Sequence, residues 1–96
     1  MALKDDLALF AALVGGLGTD APDDYPEWSS RNYESERQEV EELWNRISVR
    51  LERDSDKVPF VAKKLSEAFC AFDAGDKIGG RKSLWDIYNL GIKQLR

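Results

Sequence analysis

Between Asp20 and Glu42 the chain carries nine carboxylates against two arginines, Arg31 and Arg37, with Tyr25, Trp28 and Tyr33 set among them. Carboxylates at that density can gather a hard cation, trade a proton inside a pocket, or face a basic surface. A calcium-type cation asks for roughly six to eight oxygens presented at defined loop spacing. Asp20, Asp23, Asp24 and Glu27 do not follow an Asp-x-Asp-x-Asp-Gly pattern with a terminal Glu, so no metal site is expected. Acid–base catalysis needs perturbed acids held at a fixed separation in a pocket, and nothing in this pattern sets one. The third chemistry fits the residue types. Aromatic side chains lose little rotamer entropy on contact and dominate many interfaces, while surrounding charge steers a partner of opposite sign. Asp23, Asp24, Tyr25, Glu27 and Trp28 are the candidate contact residues, and Glu34, Glu41 and Glu42 would act at range. Trp28 either folds back as a lid on the core or stands out as a contact.

The remaining constellations are weaker. Gly75-Asp-Lys-Ile-Gly-Gly-Arg-Lys-Ser83 has two glycines at the separation of a phosphate-binding loop, but Arg81 and Lys82 occupy the lysine and hydroxyl positions. The element before it reads as a helix, whereas such a loop leaves a strand; Gly79 and Gly80 read better as a close helix contact. Histidine is absent and Cys70 is the single cysteine. This removes His-based triads, most zinc geometries and any intramolecular disulfide, and Cys70 reads as a small packing residue. No catalytic residue and no cofactor is assigned, and the protein is expected not to be an enzyme.

Charge divides along the chain. Residues 1–56 hold 14 Asp/Glu against 6 Lys/Arg, and residues 57–96 hold 4 against 8, for a formal net charge of −4. A net acidic surface repels nucleic-acid phosphate, and the cations of a nucleic-acid reading, Lys63, Lys64, Lys77, Arg81 and Lys82, are few and not interleaved with aromatics. No apolar run approaches the ~20 residues of a membrane helix, and no export signal is apparent. A cytoplasmic protein is expected.

The elements that must position these residues read as helices. Leu3, Leu7, Phe10, Val14 and Leu17 recur at helical spacing, and Gly15, Gly16 and Gly18 are natural stop signals, predicting a first helix from about Leu3 to about Val14. Pro22 and Pro26 then punctuate a long acidic loop over residues 18–29. Ser29 or Ser30 is the expected N-cap of a second helix that carries Tyr33, Val40, Leu43, Trp44, Ile47 and Leu51 to about Asp54. Glu34, Glu36, Glu39, Glu41 and Glu42 come first and Arg46, Arg50 and Arg53 last, as the helix dipole favours. Pro59 fits the first turn of a third helix, which presents Val61, Ala62, Leu65, Ala68, Phe69 and Phe72 and ends near Asp73. Asp76 caps a fourth, whose main face is Ile78, Leu84, Trp85, Tyr88, Ile92 and Leu95. Ile87 and Leu90 fall on its other side, which makes this helix either central or shared with another chain.

Ninety-six residues suit one domain. The fold expected is all-α, a single compact four-helix bundle with helix 1 packed across the other three and Trp44 and Trp85 in its core. The function expected is a small acidic interaction module binding the basic surface of a partner protein. In size and charge alone it compares with immunity-type inhibitors that set carboxylates where phosphate would bind. The rival expectation is a homo-oligomeric structural or regulatory subunit, a homodimer in the simplest case, with Ile87 and Leu90 marking the self-association seam.

Overall fold

The computed structural model describes residues 2–96, and among these the chain is all-helical, with helices α1 (Leu3–Asp20), α2 (Tyr33–Ser48), α3 (Val58–Asp73) and α4 (Lys77–Tyr88) and short 3-10 turns at Ser55–Lys57 and Ile92–Gln94. The stripe foreseen on α1 is the centre of the core: Leu7, Phe10, Val14 and Leu17 are fully buried. The helix runs on through its three glycines to Asp20, six residues past the expected end. Glycine inside a helix costs about 1 kcal/mol relative to alanine, and here it permits close approach. A Cβ on Gly18 would lie 3.0 Å from Trp85 Nε1, and one on Gly15 would lie 3.3 Å from the Tyr88 ring. The Trp85 indole N–H donates to the Gly18 carbonyl at 3.0 Å. Gly15 and Gly18 therefore admit α4's aromatics, and Gly16 admits the Arg31 guanidinium, instead of stopping the helix. α1 packs against α2, α4 and the C-terminal 3-10 turn, and α4 packs against both α1 and α3, so the two helices share the centre.

Asn32, and neither Ser29 nor Ser30, caps α2, its side chain accepting from Ser35 N–H at 2.8 Å. The helix ends at Ser48, short of Asp54, with Glu34 and Glu36 in its first turn and Arg46 in its last. Trp44 stacks on Phe10 of α1 with ring centroids 5.2 Å apart. Pro59 sits in the first turn of α3, and Asp76 caps α4 by accepting from Gly79 N–H at 2.9 Å. Gly80 gives the close contact expected of it, since a Cβ there would fall 2.5 Å from the Phe72 ring. α4 stops at Tyr88. Gly91 then takes a left-handed φ of 82°, a conformation that penalises a Cβ, and the turn it permits delivers Ile92 and Leu95 to the core. Their helical spacing is a coincidence of period.

Two expectations for α4 are overturned by this path. Ile87 is fully buried in the chain's own core, with Leu90 partly buried against it, so neither marks an exposed seam. Trp85 is 37% exposed, because it lies over α1 and is not enclosed. Cys70 is exposed as well.

Asp54, expected as the end of the second helix, is a buried hub. Its carboxylate accepts from Lys57 Nζ at 2.9 Å, Arg53 Nη2 at 2.9 Å and Arg96 N–H at 2.9 Å. The backbone N–H groups of Glu52 and Asp54 both donate to the Arg96 carbonyl. Residues 52–54 thus pin the segment that carries Leu95 into the core. The hydrogen bonds from Lys57 and then Arg53 hold the Asp54 carboxyl well below the usual range. A depressed folded-state pKa contributes stability that is fully present above the unfolded value near ~3.9 and is lost as pH falls through the folded value. Asp54→Asn should therefore melt below wild type at neutral pH, with the gap closing as pH drops below ~4. A gap unchanged down to strongly acid pH would contradict the pin.

Candidate functional site

The 21–32 segment between α1 and α2 is tied down at both ends. Asp24 accepts from Arg81 Nη2 at 2.5 Å and from Lys77 Nζ at 3.1 Å. Lys77 also meets Asp23 at 2.7 Å, and Arg81 Nε donates to the Ala21 carbonyl at 2.7 Å. The Asp24 carboxyl lies below its usual range, chiefly through the hydrogen bonds from Arg81 and Lys77. At the far end Arg31 reaches both Asp20 and Glu36 at 2.9 Å and lies over the Tyr25 ring, 5.1 Å from its centroid. Burial first, and then the charge of Glu36, push the Tyr25 phenol upward. The segment is a strap fastened to α4 by one set of ion pairs and to α1 and α2 by another.

These fastenings sort the candidate residues. Asp23 and Asp24 are occupied by α4's cations, and Tyr25 is half-buried under Arg31. Glu41 lies 3.5 Å from Arg37, which also binds Asp73 at 3.1 Å and stacks over Phe69. Glu27, Glu34, Glu39 and Glu42 form no ion pair among the described residues. Glu34 and Glu42 are exposed on α2, Glu42 accepting only from Gln38 at 3.1 Å. Trp28 is 88% exposed. It does not cover the core, so the lid alternative fails. An aromatic this exposed is informative in a way that an exposed aliphatic residue is not.

Arg31, Arg37, Lys77 and Arg81 are the residues that sequence reasoning missed in this region. The signal was present in the opposite charge of the two halves, but sequence separation hides which carboxylate meets which cation. Of the cations once grouped for nucleic acid, Lys77 and Arg81 hold the strap, while Lys64 meets Asp86 at 3.3 Å and Lys63 meets Glu67 at 3.9 Å. Among the described residues no group of three His, Cys, Asp or Glu side chains converges as a metal site would require, and no helix is long and apolar enough to cross a membrane.

A groove of about 300 Å³ separates α2 from α3, lined by Trp44, Leu65, Phe69 and Cys70 and bordered by Arg37 and Glu41. Its polar rim is already satisfied internally by the Arg37 pairs. No family model, no curated protein and no solved structure matches the chain.

Proposed function

We propose that the protein is a non-enzymatic binding module, an acidic helical bundle that engages the basic surface of a partner protein and acts on it as an inhibitor. Glu27 and Trp28 make the contact, and Glu34 and Glu42 steer the approach. The observation that carries the reading is the exposure of Trp28 on a strap that is fastened at both ends. Fixing the ends of the strap before contact lowers the ordering cost of association, and an exposed aromatic on a segment with unneutralised carboxylates suits a basic, apolar-centred surface. Asp23, Asp24 and Tyr25 then serve as the mounting of the contact residue, and Glu41 is spent on Arg37.

Affinity capture from the native cells, with wild-type protein and with Trp28→Ala or Glu27→Lys on parallel supports, tests the reading. Mass spectrometry should find basic proteins retained by wild type and depleted on both variants. Equal recovery on all three supports would overturn it.

A further inference from the structure

α1 is apolar on more than its buried stripe. No charged residue occurs between Asp6 and Asp20, and a helix that is apolar all round is ordinarily covered on every side. Here α2 and α4 flank it, and the face between them stays open: Ala8 and Ala12 are exposed, Leu9 is 37% exposed, and no described element crosses them. On the α2 side, Leu9, Ala12, Leu13 and Gly16 floor a hollow of about 450 Å³ whose rim includes Glu39. On the α4 side, Ala11 and Tyr88 border a second hollow of about 210 Å³ whose rim includes Lys93. Trp85 and Tyr88, 37% and 41% exposed, stand along that same edge over Gly18 and Gly15. The two rims flank one stretch of α1; Arg31 and Glu36 also line the α2 side but pair with each other, so the charges left over on the two rims, Glu39 and Lys93, are opposite. Neither Glu39 nor Lys93 has an ion-pair partner among the described residues.

We infer that this open face of α1 is the interface of a homodimer, its occupant a second copy of the chain with the two α1 helices side by side and parallel. A two-fold axis running parallel to α1 lays the α2 side of each copy over the α4 side of the other, because an isologous contact brings patch i onto j and j onto i. Glu39 then meets the partner copy's lysine at position 93, and the reciprocal pair forms on the other side of the axis. Tyr88 of each copy, which stands over Gly15, faces the Leu13 and Gly16 end of the hollow in the other, since the axis preserves height along α1. An antiparallel arrangement sets like rim against like rim and forfeits both pairs. Charge complementarity between the rims therefore selects a second copy, and it selects the orientation. The inference uses none of the residues given to partner binding.

Sedimentation equilibrium of the full chain from micromolar to millimolar concentration, at low and high salt, reads the association directly. A dimer weakened by salt is expected, since the rim charges are exposed and screened. Ala12→Glu, an exposed site that leaves the core untouched, should abolish it. Glu39→Lys and Lys93→Glu should each raise the dissociation constant about tenfold or more, and the double variant should recover most of the loss. Circular dichroism at micromolar concentration checks that every variant is folded. A monomer through millimolar concentration overturns the inference, and so does a dimer indifferent to Ala12→Glu. Single reversals that weaken the dimer without rescue in the double variant overturn the assigned pairing.

Discussion

Trp44→Ala is expected to destabilise the protein by ~3–5 kcal/mol, the range for truncating a buried Trp or Phe. Trp44 is 5% exposed and stacks on the fully buried Phe10, so the cavity would open at the junction of α1 and α2 where neither helix can collapse without dragging the other. Small domains hold about 5–15 kcal/mol in total, and such a loss leaves a substantial unfolded population. Trp85→Ala removes as large a side chain but should cost distinctly less, about 1–3 kcal/mol, because the ring is 37% exposed and its one hydrogen bond, to the Gly18 carbonyl, is worth about 1 kcal/mol net. Urea unfolding of both variants decides the ordering. If Trp85→Ala proves the more damaging, the ranking by burial is wrong and the α1–α4 contact outweighs the α1–α2 contact.

That ordering was not legible in the sequence. Trp44 and Trp85 both fall on apolar helical stripes, and periodicity reports which side chains share a face but not how deeply the face is covered. The same limit explains Ile87, placed by angle on the far side of α4 and found buried because α1 and α3 both pack on that helix. Gly15, Gly16 and Gly18 have two physical uses, ending a helix and admitting a neighbour, and only the positions of Tyr88, Arg31 and Trp85 decide between them. Strong local chemistry was legible: the Leu7, Phe10, Val14 and Leu17 stripe, Pro59 in a first turn, and Asp76 as a cap. Weak local chemistry was not. Asn32 outcompetes two adjacent serines as the cap of α2, and nothing near it in the chain announces that choice.

For the candidate site, the residue types were legible and their partners were not. The excess of acid before residue 57 and of base after it pointed to a meeting of opposite charges, which Asp24 with Lys77 and Arg81 realises inside one chain. Ion pairs so exposed are worth little to stability, about 0–1 kcal/mol each. Their consequence is geometric: they fasten the ends of the strap, and Glu27 and Trp28 stand exposed between those ends.

Under the proposed function, charge and aromatic contact separate kinetically. Once a partner is in hand, Glu34→Gln together with Glu42→Gln should slow association and flatten its dependence on salt while leaving dissociation nearly unchanged, since both carboxylates act through a field screened over ~8–10 Å at moderate ionic strength. Trp28→Ala should do the reverse. A hot-spot aromatic is worth ~2 kcal/mol or more, which appears as dissociation faster by about thirtyfold. Because Trp28 is 88% exposed, its removal opens no cavity, and the melting temperature should stay within a degree or two of wild type. Stopped-flow association, surface-based dissociation and a thermal melt measure the three quantities independently. A Trp28→Ala variant that melts many degrees lower yet dissociates at the wild-type rate would place the indole in the fold and remove it from the interface. Without that aromatic, Glu27, Glu34 and Glu42 alone would give only a weak, salt-sensitive encounter.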